Sequence, residues 1–232
     1  MKVGRGGPLL TLLLQPSKFP SFSRGSRFAN RHGALEFVVA PGRQTRYRAH
    51  MSDDLYPILA RVGTLLRAEV RAEATRAGLA AAQLEVLHYL ESCNRFSDTT
   101  LAVAEYLGTT RGTTSQTIQS LVDKGYVERH PDAFDGRVVH CQLTPAGHAL
   151  AHQTRPPPAL TQGLADADPR LAPLLTEMLR TLQRRQARRA FGVCQTCTRF
   201  QAQEGGCGTC GLSGEPLSAE DALLICRDHT EG

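Results

Sequence analysis

The last 39 residues of the chain hold five of its seven cysteines, at spacings that suit a metal ion. The order is Cys194-x2-Cys197-x9-Cys207-x2-Cys210-x15-Cys226-x2-His229. A Cys-x2-Cys turn brings two thiolates within reach of one metal, and four soft ligands suit tetrahedral zinc or an iron–sulphur cluster. Such a short segment also has too few apolar side chains to fold alone, and a bound metal would stabilise it. The pattern predicts a cysteine-rich metal-binding tail, residues 191–232, with zinc preferred over an iron–sulphur cluster.

Six candidate ligands exceed the four that such a site needs, and the two Cys-x2-Cys pairs form the simplest set. A different set is favoured because Ser218 is expected to cap a short helix over residues 219–225, which Cys226 would tie to the metal. The favoured ligands are Cys194, Cys197, Cys210 and Cys226. Replacement of one of them by Cys207 or His229, and a tail of disulphides or free redox thiols, remain alternatives.

The net charge of +5 conceals two parts of opposite charge. Nine of the 27 Lys and Arg residues lie in residues 1–50, against the single acid Glu36, whereas residues 51–232 hold 18 basic and 21 acidic side chains. The basic balance that would suggest nucleic acid therefore comes from the first 50 residues. Because this stretch has no sustained helical or strand period, it is predicted to be a disordered leader, with Met51 as an alternative start of the protein.

The composition fits a folded globular chain and excludes some classes of protein. With 232 residues, 41% of them hydrophobic, the chain can bury a core in one or two domains. No run approaches the roughly 20 apolar residues of a membrane-spanning helix. There is no nucleotide-binding glycine loop, and the pair His148 and His152 lacks the Glu of a zinc-protease motif. We therefore expect no enzymatic activity.

Residues 51–190 have the periodicity of a helical domain with one β-hairpin. Apolar residues at three- and four-residue steps, with glycines or a Thr-Pro pair at the boundaries, indicate the helices. They are predicted over residues 55–77, 80–92, 99–107, 110–124, 144–154 and 171–189. Ser97 or Asp98 is expected to cap the third of them, and the prolines at 156–158 are expected to interrupt the fifth. Two alternating stretches, 126–130 and 137–143, flank a turn and predict the hairpin.

The helices over 99–107 and 110–124 are joined by a turn that suits a helix-turn-helix. Gly108 permits the sharp turn, and Thr109 or Thr110 can cap the second helix, whose first residues would face base edges in the major groove. Arg111 suits guanine and Gln116 suits adenine. The candidate DNA-reading residues of this helix are Thr110, Arg111, Thr113, Ser115 and Gln116.

Over about residues 79–150 the sequence resembles the MarR family of bacterial winged-helix regulators. The resemblance is carried by residues 79–87, 100–108, 110–113 and 121–129, by Asp-Gly-Arg at 135–137, and by Leu-Thr-Pro-Ala-Gly at 143–147. In that family the helix matching residues 110–124 reads the major groove, and the arginine matching Arg137, in the wing, reaches the minor groove. The resemblance implies that Asp135 orients this arginine and that Lys124 and Arg129 contact phosphates.

The same resemblance implies a mainly α fold with a small β-hairpin wing over residues 51–190, dimeric through its N- and C-terminal helices. It implies a cytoplasmic, nucleoid-associated transcriptional repressor that binds a pseudo-palindromic operator in double-stranded DNA as a homodimer. A small-molecule effector in the cleft between the DNA-binding lobe and the dimer helices, or the metal or redox state of the tail, would control it. The alternative hypothesis is a metal- or iron–sulphur-binding electron carrier with a DNA-associated scaffold role.

Overall fold

The computed structural model describes residues 43–133, 135–155, 158–186 and 188–231, and gives only the backbone of residues 43–54 and 158–159. The chain divides into two units, residues 1–50 and residues 51–232. The first helix, α1, spans Arg43–Arg76. Its first residues, 43–50, fall within the predicted leader and are helical. The rest of the predicted leader lies outside the described residues.

Further helices and a β-hairpin build the domain that follows α1. The helices are α2 (Ala81–Ser92), α3 (Thr100–Leu107), α4 (Arg111–Asp123), α5 (Pro145–Thr154), α6 (Pro158–Leu164) and α7 (Leu171–Arg185). Strands β1 (Val127–Pro131) and β2 (Val139–Leu143) pair antiparallel, with Val127 opposite Leu143. The predicted mainly α architecture with a hairpin wing is confirmed. Among the described helices, none is both long enough and apolar enough to cross a membrane.

The core of the domain is built around α2. Leu84, Leu87 and Tyr89 of this helix are almost fully buried. They pack with apolar side chains of α3, α4, the hairpin and α5, which are Ala102, Val103, Ile118, Leu121, Val127, Cys141 and Ala151. Cys93 and Cys141, the two cysteines outside the tail, are both buried in this core. Each large apolar side chain buried here contributes about 1.5–3 kcal/mol, which fixes the helix-turn-helix on a rigid support.

Threonine side chains begin three of the helices by accepting a hydrogen bond from the amide three residues further on. These residues are Thr99 for α3, Thr110 for α4 and Thr144 for α5. Pro145 occupies the first turn of α5, as predicted. The expectation that Ser97 or Asp98 caps α3 is wrong, because the carboxylate of Asp98 contacts His140 in the hairpin instead.

Helices α1 and α7 each leave an apolar face exposed. On α1 the exposed apolar residues include Leu55, Ile58, Val62 and Leu65, and on α7 they are Leu171, Leu174, Leu175, Leu179 and Leu182. No described residue of α7 is buried. Helix α5 ends at Thr154 and α6 begins at Pro158, so the predicted interruption by prolines falls between them, where residues 156–157 lie outside the described part.

The tail folds into small antiparallel sheets. Strand β3 (Gly192–Val193) pairs with β7 (Ile225–Cys226), and a second sheet has the order β4 (Phe200–Ala202), β5 (Gly208–Cys210), β6 (Pro216–Leu217). The helix expected over residues 219–225 is wrong. Ser218 does bond the amide of Asp221, but only a 3-10 turn forms, because the backbone of Ile225 joins a sheet.

The tail packs directly on the domain, at the turn between α2 and α3. The amide of Asn94 donates to the carbonyl of Ile225 at 2.9 Å. The guanidinium of Arg227 contacts both carboxylate oxygens of Glu105 in α3, at 2.6 and 3.0 Å. Phe191 lies against the ring of Tyr106, with centroids 5.3 Å apart. The tail is therefore joined to the first helix of the helix-turn-helix.

Candidate nucleic-acid interface and cysteine-lined cavity

The turn between α3 and α4 is held by a glycine and by hydroxyl groups. Gly108 has φ 67°, in the left-handed region that a residue with a Cβ rarely adopts, and its amide closes α3 on the carbonyl of Ala104. The hydroxyls of Thr109 and Thr114 are 2.7 Å apart across the turn. Because Thr114 is buried, this bond fixes the start of α4 against the core.

Helix α4 separates a buried face from an exposed one. Thr114, Ile118 and Leu121 face the core. The predicted DNA-reading residues, which are Thr110, Arg111, Thr113, Ser115 and Gln116, are all exposed. The hydroxyls of Thr110 and Thr113 lie 2.9 Å apart, so these two also build the cap. The first two turns of α4 thus present a polar surface from a rigid frame.

At the wing, Asp135 holds Arg137 as the resemblance implied. Its carboxylate accepts from Nε and Nη2 of Arg137 at 2.9 and 3.0 Å, and from the amide of Arg137 at 3.0 Å. These hydrogen bonds lower the pKa of Asp135 and raise that of Arg137. The Arg137 side chain is 91% exposed, so the pair is aimed at solvent.

A cleft of about 330 Å³ runs between α4 and the wing. Its lining includes Arg111 and Ser115 from α4, together with Arg137 from the wing. Predicted DNA-contacting residues from α4 and from the wing, which are far apart in the sequence, therefore share one surface. Gln116, Lys124 and Arg129 are not part of this lining.

The two residues expected to contact phosphates have protein partners. Arg129 donates from Nη1 to the side chain of Gln119 at 2.8 Å and from Nη2 to the carbonyl of Ser115 at 3.3 Å. It therefore joins β1 to α4, a positioning role that the sequence does not indicate. Lys124 has Nζ 3.4 Å from the carbonyl of Gly78, a weak bond at an exposed position.

A partly buried ionisable cluster that the sequence analysis missed attaches the wing to the start of α3. His140 in β2 lies 2.5 Å from Asp98 and 3.1 Å from Asp132. Burial alone would lower the pKa of His140, but the hydrogen bonds to the two carboxylates raise it above its usual value. Sequence patterns gave no signal for this cluster, because Asp98 lies 42 residues and Asp132 eight residues from His140, and these spacings match no motif.

The fold and this surface are those of a winged helix-turn-helix protein, the class in which a short helix and a hairpin wing meet DNA. Residues 77–138 match the family model of the MarR family. Among curated protein sequences, none matches the chain.

Solved structures with a similar fold include known regulators. CouR from Rhodococcus jostii, bound to p-coumaroyl-CoA, is 24% identical, with 57% of this chain and 91% of that chain covered and a TM-score of 0.47. MarR from E. coli, in its apo form, is 22% identical over 55% of this chain and 96% of that chain, with a TM-score of 0.42. A MepR variant from S. aureus, bound to an oligodeoxyribonucleotide, is 22% identical over 55% and 98%, with a TM-score of 0.39.

In the tail, the structure brings the four favoured cysteines together. Cys194, Cys197, Cys210 and Cys226 all line one small cavity. Cys207 lies outside it, with its Sγ 2.9 Å from the carbonyl of Glu204. His229 is also outside, with its Nε2 3.0 Å from the hydroxyl of Thr196. As the side chains stand, no three His, Cys, Asp or Glu residues in the described part of the chain are grouped to hold a metal ion.

The thiols of this cavity influence one another. A hydrogen bond with Cys194 lowers the pKa of Cys226 to about 6, and the same bond raises the pKa of Cys194. Burial alone would raise the pKa of Cys210, but bonds from the amides of Ser213 and Leu212 lower it. Asn94, which the sequence analysis did not single out, donates from Nδ2 to the Sγ of Cys194 at 3.3 Å.

Proposed function

We propose that the chain is a sequence-specific, DNA-binding transcriptional regulator that acts as a homodimeric repressor. The observation that carries this proposal is the shared surface of α4 and the wing, where Arg111, Ser115 and Arg137 line one cleft. A regulator needs one element in the major groove and a second contact that fixes its register on the duplex. The proposal assigns no catalytic step to the chain.

In the proposed complex, α4 enters the major groove by its N-terminal turns. Arg111 supplies a bidentate donor pair for guanine O6 and N7, and the amide of Gln116 suits adenine. Arg137 extends from the wing into the minor groove, where its contact depends on groove width more than on base identity. Asp135 keeps the guanidinium oriented until the phosphates and bases replace part of that bonding.

The apolar faces of α1 and α7 support a dimer. Leu174 and Leu179 are 67% and 52% exposed in the single chain, and Ile58 on α1 is 58% exposed. Contiguous apolar surface of this kind is costly in water, and a two-fold dimer would bury it. The dimer would place two recognition helices on half-sites about one DNA turn apart, which requires a pseudo-palindromic operator.

A cleft of about 820 Å³ offers a place for an effector. Its lining joins Glu105 and Gly108, at the end of α3, to Leu179 and Leu182 of α7. A small molecule bound there would touch both the helix-turn-helix and the proposed dimer helix. Such a ligand would change the spacing of the two recognition helices and release DNA, provided that it binds one spacing more tightly than the other.

The first test concerns the wing. Replacing Arg137 with Ala should weaken operator binding by roughly 1–3 kcal/mol, the value of one good contact, without unfolding the domain. Fluorescence anisotropy at fixed salt measures the affinity. Arg170 is a matched control, because it is 84% exposed and paired with Asp168 in the same way but directly precedes α7 and is not part of the wing. Equal affinities of the Arg137→Ala and Arg170→Ala variants would remove the wing from the interface.

A second test concerns the recognition helix α4 and separates the specificity of DNA binding from its affinity. Arg111→Ala should lose roughly 1–3 kcal/mol of discrimination between operator and random DNA, because it removes a base contact. Lys124→Ala should instead weaken binding to both DNAs and reduce the slope of log K against log salt by about one unit. Titrations at several salt concentrations distinguish these outcomes. An Arg111→Ala variant with unchanged preference for the operator would contradict the assigned reading face.

A further inference from the structure

The cysteine-lined cavity is assembled from three separate segments of the tail. Cys194 and Cys197 flank the 3-10 turn that follows β3, Cys210 ends β5, and Cys226 belongs to β7. Cys207, only three residues before Cys210, points elsewhere and bonds a carbonyl of its own loop. Four of the five tail cysteines thus meet at one place, and sequence proximity alone does not decide which four.

The sulphur atoms of Cys194 and Cys197 accept hydrogen bonds from N–H groups. The side chain of Asn94 donates to Cys194 at 3.3 Å, and the amide of Thr230 donates to Cys197 at 3.4 Å. N–H donors around sulphur stabilise thiolates and orient metal-bound ligands. These bonds therefore hold two of the four side chains in the orientation that a metal site needs.

The small cavity suits a single ion. Its volume is about 20 Å³, which is room for one water-sized particle. Four thiolates with no further ligand are the usual set for structural zinc.

We propose that Cys194, Cys197, Cys210 and Cys226 bind one Zn²⁺ ion that fastens the tail to the turn between α2 and α3. Binding requires the four thiols to turn towards a common centre and to lose their protons. The link to the domain is direct, since Asn94 bonds Cys194 through its side chain and Ile225 through its backbone. This inference concerns a site that the proposed DNA-binding function neither uses nor requires.

Metal analysis of the full chain, purified anaerobically without added chelator, tests the proposal. About one zinc per chain is expected, as for a structural site. A Cys194→Ser/Cys226→Ser variant, which lacks two of the four ligands, should lose nearly all of it. The matched control is Cys207→Ser, which removes a tail thiol outside the cavity and should keep its zinc. Equal zinc loss from Cys207→Ser would overturn the ligand assignment.

A second measurement needs no variant and therefore does not depend on folding of the mutants. Refolding the wild-type chain with Co²⁺ in place of zinc should give the visible d–d bands of a tetrahedral ion together with strong sulphur-to-cobalt charge-transfer bands. Added Zn²⁺ should abolish both. Iron with acid-labile sulphide in the anaerobic protein would overturn the assignment to zinc. Less than about 0.2 metal per chain, with all five tail thiols open to alkylation, would overturn the site itself.

Discussion

A Leu179→Asp variant is expected to be monomeric and to bind its operator at least about 100-fold more weakly than the wild type. Leu179 belongs to the exposed apolar face of α7, at 52% exposure. In a two-fold dimer each substitution acts twice, and every added carboxylate would be buried without a partner. Loss of the dimer also uncouples the two half-sites, and linkage of two sites accounts for gains of 10²–10⁴ in overall affinity.

Light scattering coupled to size-exclusion chromatography gives the oligomeric state, and anisotropy with whole and half operators gives the affinity. Thr176→Asp is the matched control, because it adds the same charge to an exposed position on the polar side of α7. That variant should stay dimeric. If the ratio of affinities for the whole operator and the half-site is the same in Leu179→Asp and in the wild type, dimerisation through α7 is excluded. That result would leave the assigned DNA contacts of α4 untouched.

Local chemistry explains why the sequence predicted the helix-turn-helix so well. Thr110 and Thr144 cap their helices, and Gly108 takes the left-handed conformation, because each needs only residues within four positions along the chain. Such signals act before any tertiary contact forms. The pairing of Asp135 with Arg137 is of the same kind, since the two residues are neighbours in one turn.

The features that escaped the sequence analysis depend on contacts between distant residues. The cap of α3 moved to Thr99 because Asp98 pairs with His140, 42 residues away. The helix expected over residues 219–225 is reduced to a 3-10 turn because the backbone of Ile225 pairs with β3 and with Cys93 at the end of α2. In both cases a tertiary hydrogen bond outweighed a local preference. The periodicity of a sequence does not reveal a bonding partner that is distant along the chain.

Contacts at Glu105 connect the tail, the cleft beside α7 and the helix-turn-helix. Its carboxylate bonds Arg227 of the tail, which lowers the pKa of Glu105, and it also lines the cleft beside α7. Because Glu105 lies near the end of α3, the tail and the cleft both adjoin the helix that precedes α4.

Gly147→Ala should destabilise the domain by about 3 kcal/mol or more, the largest loss expected from adding one methyl group. The reason is a close approach of two backbones. A Cβ at position 147 would lie 2.1 Å from the carbonyl oxygen of Tyr126 and 3.3 Å from the side chain of Leu143. That carbonyl accepts the amide of Thr144, so it cannot move without breaking the junction between wing and α5. The glycine of the Leu-Thr-Pro-Ala-Gly motif is thus required because a side chain would clash there. Its backbone conformation is one that any residue can adopt.

Gly163→Ala is the control for this substitution. Gly163 is an exposed residue of helix α6, and a Cβ there would have no atom within 4 Å. Because alanine favours the helix and restricts the unfolded chain, this variant should match or exceed wild-type stability by up to about 1 kcal/mol. Urea unfolding followed by circular dichroism compares the two, and a loss of 3 kcal/mol corresponds to a fall in Tm of roughly 6–12 °C for a chain of this size. Equal stability of the two variants would mean that Tyr126 and α5 separate easily. The wing would then be free to move relative to the core, and Arg137 would reach DNA from a hinge instead of a fixed support.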